Sequence, residues 1–212
     1  MRNDLPGKPG RVSPTISLKA MLATFVALTV MPSAWAGELK GSCDIRFRGT
    51  STLHDFTGNV RCQPFRVGVE NAADGKTVIP GAKVAVLVGE MDTGNKTRDR
   101  QMREMFQGDK FPDIRVVFGN IVPENIRQEL RRGPEGRAPL DFILKIRDFE
   151  RPVHAVASNL REAEGRVSFD VEYPVSLKDY RLVPPKAFFG LVRVDDKIMV
   201  TTAVRLEAAG PK

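Results

Sequence analysis

Residues 167–173 read VSFDVEY, and apolar side chains occupy every second position: Val167, Phe169, Val171 and Tyr173. Successive side chains of a β-strand point to opposite faces, so this spacing places the apolar groups together on one face. Polar side chains take the other face. The stretch therefore predicts a strand with one buried side and one side exposed to water.

The same alternation recurs outward from this stretch over most of the chain. It predicts about nine short strands, joined by polar turns or by turns rich in Gly and Pro. The alternating segments are 43–47, 60–62, 65–69, 84–88, 114–118, 140–146, 153–160, 167–173 and 198–206, with a further strand through Phe189 and Leu191 and a turn at Asp195-Asp196. Pro64 lies where the parity of the pattern changes, and it predicts a bend there.

Strands of this number and length predict an all-β fold, an antiparallel β-barrel of about eight strands. Closing the sheet removes its edges, and the interior of such a barrel holds either side chains or one small ligand. The alternation leaves open whether the inward side chains fill a solid core or line a cavity. The inward candidates are Ile45, Phe47, Val86, Phe118, Phe142, Leu144, Phe169, Val171, Val200 and Val204.

One segment breaks the period of two. Residues 96–107 (KTRDRQMREMFQ) carry Met102, Met105 and Phe106 at helical spacing, with charged residues between them. This pattern predicts a short amphipathic helix, with Gly108 as its stop signal. The helix either covers one end of the barrel, with its apolar side chains facing the ligand or core, or simply packs on the sheet. Asn95 or Thr97 is expected to cap its first turn.

A second charged segment, residues 128–138 (QELRRGPEGRA), contains Gly and Pro and predicts a mobile hairpin loop. The sequence shows no repeat, no low-complexity tract and no linker between two folded units. We therefore predict one domain over residues 37–212.

The beginning of the chain has the pattern of an export signal. Residues 20–31 (AMLATFVALTVM) form an apolar run of the length typical of a signal peptide, and Lys19 precedes it. Ala34 and Ala36 place small residues where a signal peptidase requires them. We predict a signal peptide at residues 1–36. The alternative, a membrane anchor, needs about 20 apolar residues, and a true start at Met21 would remove Lys19.

Composition and charge exclude several classes of protein. The 212 residues are 42% hydrophobic and 28% charged, which excludes collagen, a coiled coil and wholesale disorder. The formal net charge is +7, and the predicted leader holds four basic residues and one acidic residue, which leaves +4 on residues 37–212. This excess is small and scattered along the chain, so no nucleic-acid partner is predicted.

Two cysteines, Cys43 and Cys62, lie in neighbouring alternating segments. If these segments form a hairpin centred near Thr52 and Leu53, the two cysteines face each other, and an oxidising compartment would let them pair. Two buried thiols are the alternative. A metal site built from the two cysteines and two histidines is disfavoured because no close ligand spacing exists.

Few residues indicate catalysis. No serine lies in a nucleophile-elbow sequence. His54 and Asp55 are adjacent, so on a strand their side chains would point to opposite faces, which is poor geometry for a base and its orienting partner. Arg98 and Asp99 are either solvent-exposed charges or groups that hold the helix at the barrel mouth through hydrogen bonds.

Short motifs follow one another in a recognisable order: 51–58 (STLHDFTG), 92–95 (DTGN), Arg98-Asp99, Met102, 110–114 (KFPDI), Phe118, 140–146, 151–153 (RPV), 180–182 (YRL), Pro184-Pro185 and 190–196 (GLVRVDD). Over about residues 41–206 this order resembles the YceI-like family. The resemblance implies an extended lipocalin-like antiparallel barrel that holds a long isoprenoid, lipid or quinone-like chain, and export to the bacterial periplasm.

On this basis the expected function is binding, transport or sequestration of a hydrophobic chain in the periplasm. No catalytic residue, metal or cofactor is predicted, and the oligomeric state, a dimer included, stays open. Two alternatives remain: a small-molecule enzyme that uses His54 and Arg98 at the barrel mouth, and a solid-cored interaction module of the envelope. The candidate ligand-binding residues are Phe47, His54, Phe56, Arg98, Met102, Met105, Phe106, Phe118, Phe142 and Phe169.

Overall fold

The computed structural model describes residues 37–132, 135–184 and 193–209. The predicted leader and the predicted strand through Phe189 and Leu191 lie outside these residues. The described strands are β1 (Gly37–Ser51), β2 (Phe56–Arg61), β3 (Phe65–Asn71), β4 (Thr77–Val78), β5 (Ala82–Leu87), β6 (Asp113–Phe118), β7 (Arg137–Ile146), β8 (Phe149–Ala163), β9 (Arg166–Ser176) and β10 (Val194–Ala208). The helices are α1 (Lys96–Phe106) and α2 (Pro123–Leu130), with 3-10 turns at Val88–Glu90 and Lys178–Tyr180.

The ten strands form one antiparallel sheet in the order β4-β3-β1-β10-β9-β8-β7-β6-β5, and β2 also pairs with β1. The sheet curls into a half-barrel, in which β2 and the residues that follow it approach β5 and the residues that follow β5. There the backbone N–H of Gln63 donates to the carbonyl of Ala85 at 2.8 Å, and isolated bridges join Cys62 to Val86 and Asn59 to Asp92. The predicted antiparallel barrel-like fold is confirmed.

The curled sheet has two ends, which differ in what covers them. At the α1 end lie α1 and the turn between β1 and β2. At the α2 end lie α2 and the turn between β8 and β9. We use these two names below.

The β1–β2 hairpin places the cysteines as the sequence predicts. Its register pairs Asp44 with Arg61, so Cys43 lies opposite Cys62. The Cα atoms of the two cysteines are 5.4 Å apart, and a disulfide joins them. The predicted disulfide is therefore present in the structure.

The predicted helix at 96–107 is confirmed, with its end one residue earlier. Asn95 caps its start, because its side-chain oxygen accepts hydrogen bonds from the backbone N–H groups of Thr97 at 3.0 Å and Arg98 at 3.1 Å. Gln107, not Gly108, takes the left-handed conformation that ends the helix, with a φ of 53°.

Two other expectations are wrong. The predicted loop at 128–138 begins inside α2, because Ile126 and Leu130 lie one turn apart and pack on the core. The predicted turn at Asp195-Asp196 lies inside β10. The Asp196 carboxylate accepts hydrogen bonds from the Ser176 hydroxyl at 2.7 Å and the Lys178 backbone N–H at 2.9 Å, which stabilises acidic residues in a strand. Among the described residues, no helix has the length and apolar character needed to cross a membrane.

Candidate functional site

A cavity of about 700 Å³ lies inside the curled sheet. Side chains from all ten strands and from both helices line it, and most of them are apolar. The structure thus has a cavity where the alternation allowed either a cavity or a solid core. All ten predicted inward residues line this cavity: Ile45, Phe47, Val86, Phe118, Phe142, Leu144, Phe169, Val171, Val200 and Val204.

Aromatic rings form the middle of the wall. The ring of Phe142 lies 5.2 Å from that of Phe118 and 5.0 Å from that of Tyr173, the latter edge to face. Such contacts fix ring positions beyond what burial alone does. Phe47 of β1 pairs with Gly58 of the adjacent strand β2. A Cβ added at Gly58 would fall 2.1 Å from the Phe47 ring. Gly58 therefore makes room for the ring.

Two of the buried side chains that line the cavity, Tyr173 and Thr202, are joined by a hydrogen bond. Burial raises the pKa of Tyr173 to about 12, and the hydrogen bond between its side chain and Thr202 opposes this shift. The phenol therefore stays neutral at physiological pH. The polar groups at this point of the apolar wall are therefore already partnered.

At the α1 end, Arg98 and Asp99 hold the entrance of the helix through hydrogen bonds. Asp99 accepts from the backbone N–H of Thr93 at 2.9 Å and from its hydroxyl. The Arg98 guanidinium donates to the Thr93 hydroxyl at 2.9 Å and lies 5.5 Å from the centre of the Phe56 ring. The sequence left open whether Arg98 and Asp99 are solvent-exposed charges or hold the helix through hydrogen bonds. The structure shows the hydrogen bonds.

The remaining predicted residues of this end also border the cavity. Met102 and Met105 are half-buried, and Phe106 is buried in the core. His54 lies in the exposed turn between β1 and β2, where its Nδ1 is 3.1 Å from the backbone carbonyl of Asp55. All ten candidate ligand-binding residues therefore line one cavity, although their role in binding stays a prediction.

The α2 end was missed by the sequence-based prediction. Ile126 and Leu130 of α2 face the cavity, together with Arg127. Glu162 of β8 holds the helix through ion pairs with Arg127 at 2.8 Å and with Arg131. The spacing of Ile126 and Leu130 after Pro123 is the signal that could have revealed this helix.

These ion pairs change the pKa values of their partners. Hydrogen bonds from Arg131, and then from Arg127, lower the pKa of Glu162 against the opposing effect of burial. Hydrogen bonds to Glu124 and Glu162 raise the pKa of Arg127. Charge pairing therefore keeps both groups ionised where they border the apolar cavity.

The arrangement offers little for catalysis or metal binding. Over the described ranges, no three His, Cys, Asp or Glu side chains are grouped so that they could hold a metal ion. His154 pairs with Asp141 at 2.8 Å, and both side chains are exposed to solvent.

Comparison with known proteins supports the fold. The family model of the YceI-like domain matches residues 26–208, which confirms the resemblance seen in the sequence. A polyisoprenoid binding domain from Saccharophagus degradans, implicated in plant cell wall breakdown, is similar in structure at 13% identity and a TM-score of 0.56, over 80% of this chain and 98% of that one. BcnA of Burkholderia cenocepacia is similar at 13% identity and a TM-score of 0.55, over 77% and 95%. No curated protein sequence matches the chain.

Proposed function

The chain belongs to the YceI-like domain family, and from this membership and the cavity we propose that it binds a hydrophobic chain inside the curled sheet. The ligand class is a polyisoprenoid, a quinone or another lipid, and no reaction is catalysed. One observation carries the proposal, the apolar cavity of about 700 Å³. Small-molecule pockets have volumes of about 300–1,000 Å³. A solved structure of the same fold is described as a polyisoprenoid binding domain, which supports the ligand class.

The energetics need no polar contact inside the cavity. Each buried methylene contributes about 0.8 kcal/mol. A chain that buries about ten carbons therefore retains several kcal/mol after the costs of association. Half-buried Met102 and Met105 suit this task, because an unbranched thioether side chain adapts to ligands of different shape.

We place this activity in the periplasm, after removal of residues 1–36. The Cys43–Cys62 disulfide supports an oxidising compartment. Measuring the intact mass of the exported protein tests the cleavage site. The expected mass is that of residues 37–212, and a retained leader would refute this part of the proposal.

The ligand is tested by native mass spectrometry of protein gently purified from the periplasm. We expect a lipid that copurifies with the wild type. Phe142→Trp should reduce its occupancy, because the larger ring occupies space that the chain needs. The matched control is Ile143→Trp, the next residue of β7, whose side chain lies on the outer face of the sheet and is 38% exposed. Equal occupancy in the two folded variants would place Phe142 outside the binding site.

A second candidate function has one observation in its favour: His54 and Arg98 both line the cavity at the α1 end. In this alternative, the protein is a small-molecule enzyme whose active site lies at the α1 end. However, the Arg98 guanidinium is already bonded to the side chain and the backbone carbonyl of Thr93. If substrate screening finds a turnover, its loss in His54→Ala would favour the enzyme, and its retention would exclude His54.

A further inference from the structure

Three arginines surround one aromatic ring at the α1 end of the sheet. The guanidinium carbons of Arg181, Arg147 and Arg151 lie 5.1 Å, 5.8 Å and 6.0 Å from the centre of the Phe149 ring. We call Arg147, Arg151 and Arg181 the arginine cluster. They come from the turn after β7, from β8 and from the residue after the 3-10 turn Lys178–Tyr180.

Among the described residues, no ion pair joins this cluster to a carboxylate, although Asp148 and Asp179 are close to it in the sequence. Within the described part of the chain, none of the three guanidinium groups forms an ion pair, and nearby Glu150 is paired with Lys145 at 2.8 Å. The Nε of Arg147 is buried and has no hydrogen-bond partner among the residues that the structure describes. Repulsion between like charges raises the free energy of the folded protein. A buried hydrogen-bond donor without a partner raises it further. A bound anion would remove the repulsion between the three guanidinium groups.

Backbone conformation does not explain these arginines. Arg147 and Arg181 adopt positive φ angles of 56° and 50°. Gly and Asn adopt such angles most readily, so the turns themselves do not require arginine.

The chemistry of the cluster indicates a phosphate group. Guanidinium forks match the oxygens of phosphate, and three positive charges suit an anion that carries more than one negative charge. Burial keeps the neighbouring Tyr180 phenol neutral by raising its pKa to about 12, so its hydroxyl remains a hydrogen-bond donor.

The cluster lies next to the cavity wall in the chain, although none of its arginines lines the cavity itself. Ile146 immediately precedes Arg147, Leu182 immediately follows Arg181, and both of these apolar residues line the cavity wall. An apolar chain inside the cavity could therefore extend toward the cluster at the α1 end.

We propose that the arginine cluster binds a phosphate or diphosphate group, the headgroup of a prenyl chain held in the cavity. The assignment of the headgroup rests on the proposed function, whereas the anion site itself does not. Free phosphate or diphosphate offers the same chemistry, so the experiment separates the two sources.

The experiment is calorimetric titration of the intact mature protein with three probes: geranylgeraniol, geranylgeranyl diphosphate and inorganic pyrophosphate. We expect the wild type to bind the prenyl diphosphate at least about tenfold more tightly than the alcohol. The double variant Arg151→Gln/Arg181→Gln should lose about this factor for the diphosphate and keep its affinity for the alcohol. Both side chains are exposed, so the variant is expected to fold.

The matched control is Arg46→Gln/Arg48→Gln, which removes the same charge from exposed positions of β1. An equal loss of diphosphate binding in both double variants would overturn the site, because the effect would then come from net charge. Equal wild-type affinity for alcohol and diphosphate would also overturn it, and would leave the apolar cavity supported. Pyrophosphate binding that only the cluster variant loses would support the anion site even if neither lipid binds, an outcome that contradicts the proposed function alone.

Discussion

The two ends of the curled sheet are both covered by a helix, yet the helices are held in different ways. Asn95, Thr93 and Asp99 fix the start of α1 through hydrogen bonds within its own segment, and the helix meets the barrel through Met102, Met105 and Phe106. By contrast, α2 is tied to another element, because Arg127 and Arg131 both pair with Glu162 of β8.

This difference indicates which end admits a ligand. Apolar contacts through flexible thioethers can rearrange at little cost, whereas ion pairs to a strand oppose displacement of a helix. The exposed apolar side chains Leu53 and Val183 also lie at the α1 end. We therefore expect ligand entry at the α1 end and a fixed wall at the α2 end.

Of the changes that test this difference between the two ends, removal of the N-terminal cap of α1 is expected to have the largest effect on stability and on ligand release. Asn95→Ala should lower the free energy of unfolding by about 1 kcal/mol. It should also accelerate release of a bound apolar probe, because the first turn of α1 frays. Urea denaturation and stopped-flow release measure the two quantities. Asn125→Ala, an exposed position in the first turn of α2, is the control. Equal acceleration by both variants would contradict entry at the α1 end.

A smaller effect, about 0.5 kcal/mol, is expected from Glu162→Gln, because solvent screens partly exposed ion pairs. Its pKa is lowered in the folded protein, so its contribution to stability is fully present above its ordinary value of 4.5 and is lost as pH falls through the lowered value. The difference between wild type and variant should therefore vanish in acid and shrink at high salt.

The control for this measurement is Glu172→Gln, an exposed carboxylate of β9 without an ion pair among the described residues. Denaturation of all three proteins across a pH series makes the comparison. If the free energy of unfolding changes with pH in the same way in both variants, Glu162 contributes nothing specific to the α2 end.

The two ends also differ in how much of their structure could be predicted from the sequence, because α1 is specified by local signals and α2 by contacts with a distant strand. Alternation gave the inward faces correctly because the parity of a strand is a local property, and ten inward residues meet in one cavity. Helix α1 was predicted because its cap and its apolar spacing lie within one stretch, although Gln107 and not Gly108 ends it. The hairpin register that joins Cys43 to Cys62 also followed from local symmetry about the turn.

What the sequence did not reveal depends on contacts between distant segments. Helix α2 has only eight residues, and its ion pairs reach Glu162, which lies 35 positions after Arg127. Asp195 and Asp196 have the composition of a turn, but their carboxylates are satisfied by Thr50 and Ser176, so they lie in a strand. The arginine cluster likewise assembles residues from three elements around Phe149.

The most direct test of the central claim is the dependence of affinity on ligand length. Titration of the mature protein with a series of unbranched alcohols should give a binding free energy that strengthens by up to about 0.8 kcal/mol for each added methylene. The gain should stop once the chain fills the cavity of about 700 Å³. An affinity that does not change with chain length, or no binding at any length, would contradict the account.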